Sequence, residues 1–164
     1  MTFQPHPANR LPHAVLDLPS RRLKALKIER LLNLSARPQP IRMLEIGTGS
    51  GGIAHYFATH PTTAYKVTAV DIVDQRLLLL RNDFDFQLVV DTTIPFPDGN
   101  FDVVITNHVI EHVGNLRAQR HHLSEVHRVM NSHAIGYLAV PNRWMLVEPH
   151  YRLAFLSWLP RPLR

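Results

Sequence analysis

No cysteine occurs in the chain, which removes disulfides, thiolate zinc sites and cysteine nucleophiles together. Long apolar runs are missing as well. Nothing approaches the roughly 20 residues that a membrane-spanning helix needs, and no charged-then-apolar leader follows Met1. The expectation is a cytoplasmic protein with no transmembrane segment. Aromatic residues make up only 8%, and none interleaves with the basic cluster Arg21, Arg22, Lys24, Lys27 and Arg30. Despite a net charge of +5, that cluster therefore reads as a solvated helix face rather than a nucleic-acid footprint. What is present suffices for one domain: 164 residues, 45% of them hydrophobic, can bury a core without metals or cross-links.

Residues 1–40 divide into an irregular arm, punctuated by Pro5, Pro7, Pro12 and Pro19, and a helix. Ser20 is placed to cap that helix, and Leu23, Leu26, Leu31 and Leu34 recur at near-helical spacing. The prolines of "ARPQP" at 36–40 stop it. From Ile41 to Pro141 the texture alternates. Strands are expected at "IRMLEI", "YKVTAVD", "FQLVV", "FDVVITN" and "AIGYLAV". Helices are expected at "GGIAHYFATH", "VDQRLLLLRN" and "LRAQRHHLSEVHRVM", the last with Leu116, Leu123, Val126 and Met130 on one face. Strands apolar on both faces and alternating with helices imply an α/β fold with a Rossmann-like, doubly wound, mostly parallel sheet of about five strands and helices on both faces. Residues 142–164 read as a loop and a short amphipathic helix bearing Leu153, Leu156 and Leu159 on one side.

Within "MLEIGTGSGG" two cofactor readings overlap. Gly47, Gly49 and Gly52 spell the G-x-G-x-x-G of a dinucleotide site, with Asp71 at the end of the next strand as a ribose acceptor. Glu45, Gly47, Gly49 and Gly51 spell E-x-G-x-G-x-G instead. Taken alone, the glycines do not decide. The surrounding segments add "VTAVD", "VVDTTIPFPDGNFDVVITNHVIEHV" and "EVHRVM" followed by a strand and "PN". With these, the stretch from about Ile41 to Trp158 resembles the class I S-adenosylmethionine-dependent methyltransferases.

The resemblance implies a set of roles, position by position. Gly47, Thr48, Gly49 and Gly51 would bring main chain against the cofactor, and Glu45 would sit near its ammonium end. Asp71, with Ile72 beside it, would take the ribose hydroxyls. Asp91 would accept from the adenine amino group next to Thr92, and Asn107 would line the methionine end. S-adenosylhomocysteine would be the product. Plain readings stand beside these: Glu45 as a solvated strand-end acid, and Asp91 as a turn residue capping "TTIP".

"HVIEH" at 108–112 matches an inverted zinc-protease signature, with both histidines on one helix face. It directly follows a predicted strand, however, and little chain remains to supply a third ligand, so no metal is assigned. In the resembled family a Glu-His pair lies here at the mouth of the methyl-transfer site, which makes His112 the catalytic candidate, with a packed structural histidine as the alternative. His121, His122 and His127 fall mainly on the polar side of their helix and read as solvated surface. An Asn-Pro-Pro-Tyr-like motif is absent after the fourth strand, which argues against amide or adenine N-methylation of that type. The lack of cysteine closes the covalent cytosine-C5 route.

The family's sheet ends in two further strands, and these are not legible after "YLAV", so the edge of the fifth strand is expected to be truncated and open to a partner or a second copy. The "NSH" before that strand stands where the family has a glycine-rich turn, and Asn131 can supply the left-handed conformation. Beyond the "PN" corner, Glu148, His150 and Tyr151 are candidate acceptor contacts. The implied activity is methyl transfer to a small-molecule or glycan/lipid-type acceptor, at oxygen. A catalytically silent binding module is the alternative, and RNA methylation rests on net charge alone.

Overall fold

A computed structural model describes residues 16–140. The arm up to residue 15, the tail stripe of Leu153, Leu156 and Leu159, and Glu148, His150 and Tyr151 lie outside the described residues, while Pro19 stands in the first turn of a helix and not in an irregular arm. Five strands, β1 (Ile41–Ile46), β2 (Tyr65–Asp71), β3 (Asp85–Leu88), β4 (Phe101–Asn107) and β5 (Met130–Ala139), form one sheet in the order β3-β2-β1-β4-β5. Every neighbouring pair is parallel. The chain starts at the centre, winds outward through β2 and β3, and returns to build β4 and β5. Strand order therefore reverses between β1 and β4, where open α/β sheets bind ligands outside the strands' carboxyl ends. Among the described residues, β3 and β5 are the sheet's edges.

Burial on both faces explains the largely apolar central strands β1 and β4. Helices α1 (Leu18–Leu31) and α2 (Gly52–Ala58) cover one face, where Ala25, Ile28 and Phe57 pack with Met43, Val103 and Ile105. Helix α3 (Leu116–Val129) covers the other, with Val129 among Leu44, Phe101 and Val104.

Several expectations are corrected. Helix α1 begins at Leu18 after Asp17, and the Ser20 hydroxyl donates back to the Asp17 carbonyl instead of capping. Its inward residues are Ala25 and Ile28, whereas Leu23 and Leu31 are exposed. Residues 73–82 form no α-helix, only a 3-10 turn at Leu78–Leu80. Four consecutive leucines would point around a helix, and here only Leu80 is fully buried. The Asp74–Arg76 pair, with Arg76 stacked 3.8 Å from the Phe86 ring centre, holds the connection extended. On α3, Leu116 and Leu123 are exposed and His122, Glu125 and Val129 face inward, whereas Val126, and Met130 just beyond the helix, pack partly against the core as expected. Asn131 makes no left-handed turn. It lies in β5, which runs on directly from α3 and meets β4 through an irregularity between Phe101 and Val103. There the Asn131 side chain donates to Asp102 and accepts the His133 N–H.

Candidate functional site

The carboxyl ends of β1, β2 and β4 converge on the loop between β1 and α2. Gly47, Gly49 and Gly51 all have left-handed φ, at +73°, +54° and +82°, a region that favours glycine. At Gly47 the need is also spatial, since a Cβ there would lie 2.5 Å from Val109 Cγ2. The loop is tied to β2 twice: Gly47 N–H donates to the Val70 carbonyl at 2.8 Å, and Gly49 N–H to Asp71 Oδ2 at 2.9 Å.

Glu45 is not a solvated strand-end acid. It is 3% exposed, and its Oε2 accepts from Thr48 Oγ1 at 2.7 Å and from the Ala54 N–H at 3.0 Å. Burial pushes its pKa up to about 8, against the opposing pull of those two hydrogen bonds. Glu45 thus braces the loop against the first turn of α2, and Thr48 is its partner. Asp71, half-buried, accepts from Gly49 N–H through Oδ2 and from Ile72 N–H through Oδ1 at 2.7 Å. A carboxylate has about four acceptor positions, so two remain for a diol. The Ile72 side chain is exposed beside it.

Asp91 is exposed and closes a turn by accepting the Thr93 N–H at 2.7 Å, which holds its carboxyl below the usual range. That is the geometry of the plain turn reading. Thr92 Oγ1 meets His121 Nδ1 at 2.6 Å, joining this turn to α3.

After β4 the backbone turns sharply. His108 has φ +59°, rare outside glycine, while its N–H still pairs with the Ala139 carbonyl. A 3-10 turn at Ile110–His112 follows, so the two histidines of "HVIEH" do not share an α-helical face. His108 Nδ1 lies 3.4 Å from Glu111 Oε1. His112 is exposed, with its N–H donating to the Val109 carbonyl. Among the described residues, buried side-chain atoms without hydrogen-bond partners include Asn107 Oδ1, Glu111 Oε2, Gln75 Oε1 and Arg21 Nε. Asn107 ends β4 and Glu111 lies in the turn, while Arg21 of α1 sits against the start of α2, where its Cβ would lie 2.7 Å from a Cβ on Gly52. Arg21 is thus a roof over the loop's end rather than part of a solvated face.

Glu125 and Arg128, which stand in "EVHRVM" and have no role assigned from the sequence, anchor the wall formed by 91–99. Glu125 Oε2 accepts the Ile94 N–H, and Arg128 donates to the carbonyls of Ile94 and Phe96 and to Asp98 and Glu125. Arg128 and the Ile94 N–H hold the Glu125 carboxyl at about 2. His122 is 2% exposed, with Nε2 3.5 Å from Thr106 Oγ1, and burial lowers its pKa, so it is not surface. The i, i+3, i+7 spacing of His122, Glu125 and Val129 was the available signal, masked by the stronger leucine pattern.

Residues 44–138 match the profile of the family described as "Methyltransferase domain". Solved structures show the same fold. A Methanococcus maripaludis protein assigned as an S-adenosyl-L-methionine-dependent methyltransferase aligns at TM-score 0.59 and 16% identity, over 77% of this chain and 57% of its own. The 4+2 cyclase SpnF aligns at TM-score 0.55 and 21% identity, over 75% and 46%. The Haloferax volcanii protein solved with the methyltransferase activator Trm112 aligns at 0.53 and 18%, over 77% and 61%. This chain spans less than two thirds of the length of each of the three. No curated protein matches it. No helix among the described residues is long and apolar enough to cross a membrane.

Proposed function

This chain belongs to the methyltransferase-domain family, and from that premise we propose that it binds S-adenosylmethionine across the carboxyl ends of β1, β2 and β4 and transfers the methyl group to an acceptor oxygen. The observation that carries the reading is the coupling of Asp71 to Gly49: one carboxylate organises the glycine loop and keeps acceptor positions open toward it. The residues fit the cofactor. Positive-φ glycines offer bare main chain, Asp71 suits a ribose diol, and the exposed Ile72 side chain suits one face of adenine. Asp91 and Thr92 would close the adenine end, Asn107 the methionine end, and Gly51 the turn into α2. Glu45 and Thr48 act by holding the loop's shape.

When bound, the cofactor supplies a methyl group already activated by its sulfonium, so the protein's task is chiefly to hold an acceptor in line with it. A hydroxyl acceptor must lose its proton, and His112, exposed at the turn after β4, is our candidate to take it. Glu148, His150 and Tyr151 remain our candidates to contact a small-molecule or glycan/lipid-type acceptor. Calorimetric titration with S-adenosylhomocysteine, with NAD as the control, tests the core of this reading. Micromolar affinity for the first alone is expected, and binding of neither would overturn it. A silent or repurposed module is the second reading, favoured by the cyclase that shares this fold. It predicts retained S-adenosylhomocysteine binding with no methyl transfer across an acceptor screen.

A further inference from the structure

Helix α1 is apolar on two opposed sides. Ala25 and Ile28 are buried in the core beneath it. On the other side Leu23, Leu26, Lys27, Arg30 and Leu31, at i, i+3, i+4, i+7 and i+8, line one surface groove of about 490 Å³. Leu23 is 68% exposed and Leu31 66%. A single exposed leucine is ordinary, but three on one helix face beside two cations form a patch, and such a patch marks an interaction site.

Charge narrows the partner. The helix holds one acid, Glu29, and the fold withdraws it. Glu29 Oε2 accepts from the Tyr56 hydroxyl at 2.7 Å. Its Oε1 accepts from the Tyr65 hydroxyl at 3.0 Å and lies 3.2 Å from His60 Nε2, so the carboxylate is turned toward α2 and β2. Arg22, Lys27 and Arg30 stay exposed. Among the described residues the Arg and Lys side chains in salt bridges are Arg42, Arg76, Arg81 and Arg128, all on other elements. The outer face of α1 is therefore basic and apolar together. It carries no aromatic ring on which a nucleic-acid base could stack.

We propose that the outer face of α1 docks the protein on an anionic lipid bilayer. Leu23, Leu26 and Leu31 enter the boundary between headgroups and acyl chains. Arg22, Lys27 and Arg30 lie at the level of the lipid phosphates, with their stems along the leucines. Helix α1 also begins at the end of the glycine loop, where a Cβ on Gly52 would lie 2.7 Å from Arg21 and 3.3 Å from Leu18. Docking by this helix thus sets that end of the loop about one helix diameter, roughly 10 Å, from the bilayer. The surface stands apart from the cofactor reading and is tested without a cofactor.

The test is co-sedimentation of the full chain with vesicles of phosphatidylcholine alone and of equal parts phosphatidylcholine and phosphatidylglycerol. Binding to the second and not the first is expected, and it should weaken as salt is added. Lys27→Gln with Arg30→Gln should lower the partition about 10- to 30-fold, the share of two cations at the surface. Leu23→Gln with Leu31→Gln should lower it about tenfold or more. All four side chains are exposed, so both double variants should keep the unfolding midpoint of the unmodified chain. Absence of binding to the anionic vesicles overturns the proposal. A leucine variant that binds as well as the unmodified chain also overturns it, because the attraction is then only that of a basic protein. Preference for single-stranded RNA over the vesicles, with the leucines irrelevant, overturns it likewise. If the leucine variant instead loses a dimer formed without lipid, or unfolds at a lower midpoint because residues outside 16–140 cover the face, the groove is a protein contact and the proposal falls.

Discussion

Replacing Glu45 with glutamine keeps the shape of the brace under the glycine loop and removes its titration. In the folded chain the Glu45 carboxyl holds its proton up to about pH 8, against an ordinary value of 4.5, because it is buried. The folded state therefore carries a proton that the unfolded chain releases above about pH 4.5. The contribution is fully present below that value and is lost as pH rises toward 8. Within the window each pH unit removes on the order of 1 kcal/mol, so the loss between pH 5 and 7 is roughly 2–3 kcal/mol. The group is almost fully enclosed, so solvent screening reduces this little, while relaxation around the charge makes it an upper bound. His122, also buried, works in the opposite sense: its lowered pKa makes stability rise with pH up to about 6.5. It is common to both proteins and cancels in their difference. Urea unfolding of Glu45→Gln and the unmodified chain at pH 5, 6, 7 and 8 reads that difference directly. The variant should be the weaker protein at pH 5, where a protonated carboxyl fits its partners better than an amide. It should gain on the unmodified chain by about 1 kcal/mol or more per pH unit up to pH 7. Two parallel curves would refute the reasoning and would mean that the carboxyl is ionised in the fold and paired by a cation.

Gly47→Ala should destabilise by about 1–3 kcal/mol, from the left-handed φ and the contact with Val109. Adding Val109→Ala should return only the steric share, which a double-mutant cycle in urea measures. Asp71→Ala should weaken S-adenosylhomocysteine by roughly 1–3 kcal/mol, and it should also lower the unfolding midpoint, because the Gly49 N–H loses its acceptor; unchanged affinity would mean that the ribose lies elsewhere. Arg128→Met should cost roughly 2–4 kcal/mol of stability, since it leaves the Glu125 carboxylate without its cation and the carbonyls of Ile94 and Phe96 without their Arg128 donor. Hydrogen exchange should then show faster opening at 91–99. Once an acceptor is found, His112→Ala should lower kcat with little change in cofactor affinity, and an equal loss of folding would support a structural role instead.

Three strands, "IRMLEI", "YKVTAVD" and "FDVVITN", were readable to the residue because each carries a mostly buried, β-branched-rich or apolar centre between polar ends or turns. The glycine loop was equally legible, since positive φ and close approach exclude other residues. Helix faces were not. In α1 and α3 the sequence shows leucines at helical spacing, yet the fold turns Ala25, His122 and Glu125 inward. Those choices depend on what lies opposite: a core cluster that takes Ala25, an Ile94 N–H that needs Glu125, a Thr106 hydroxyl beside His122. The same holds for Glu45. Its position after the first strand is a sequence fact, but the direction of its carboxyl is decided by Thr48 and the N–H of Ala54, which the chain brings together only on folding. Local pattern and backbone sterics thus determined the order of elements and the place of the loop. Orientation, protonation and the orphaned oxygens of Asn107 and Glu111 were decided by tertiary contacts, because a polar atom's partner is set by proximity in space and not by spacing along the chain.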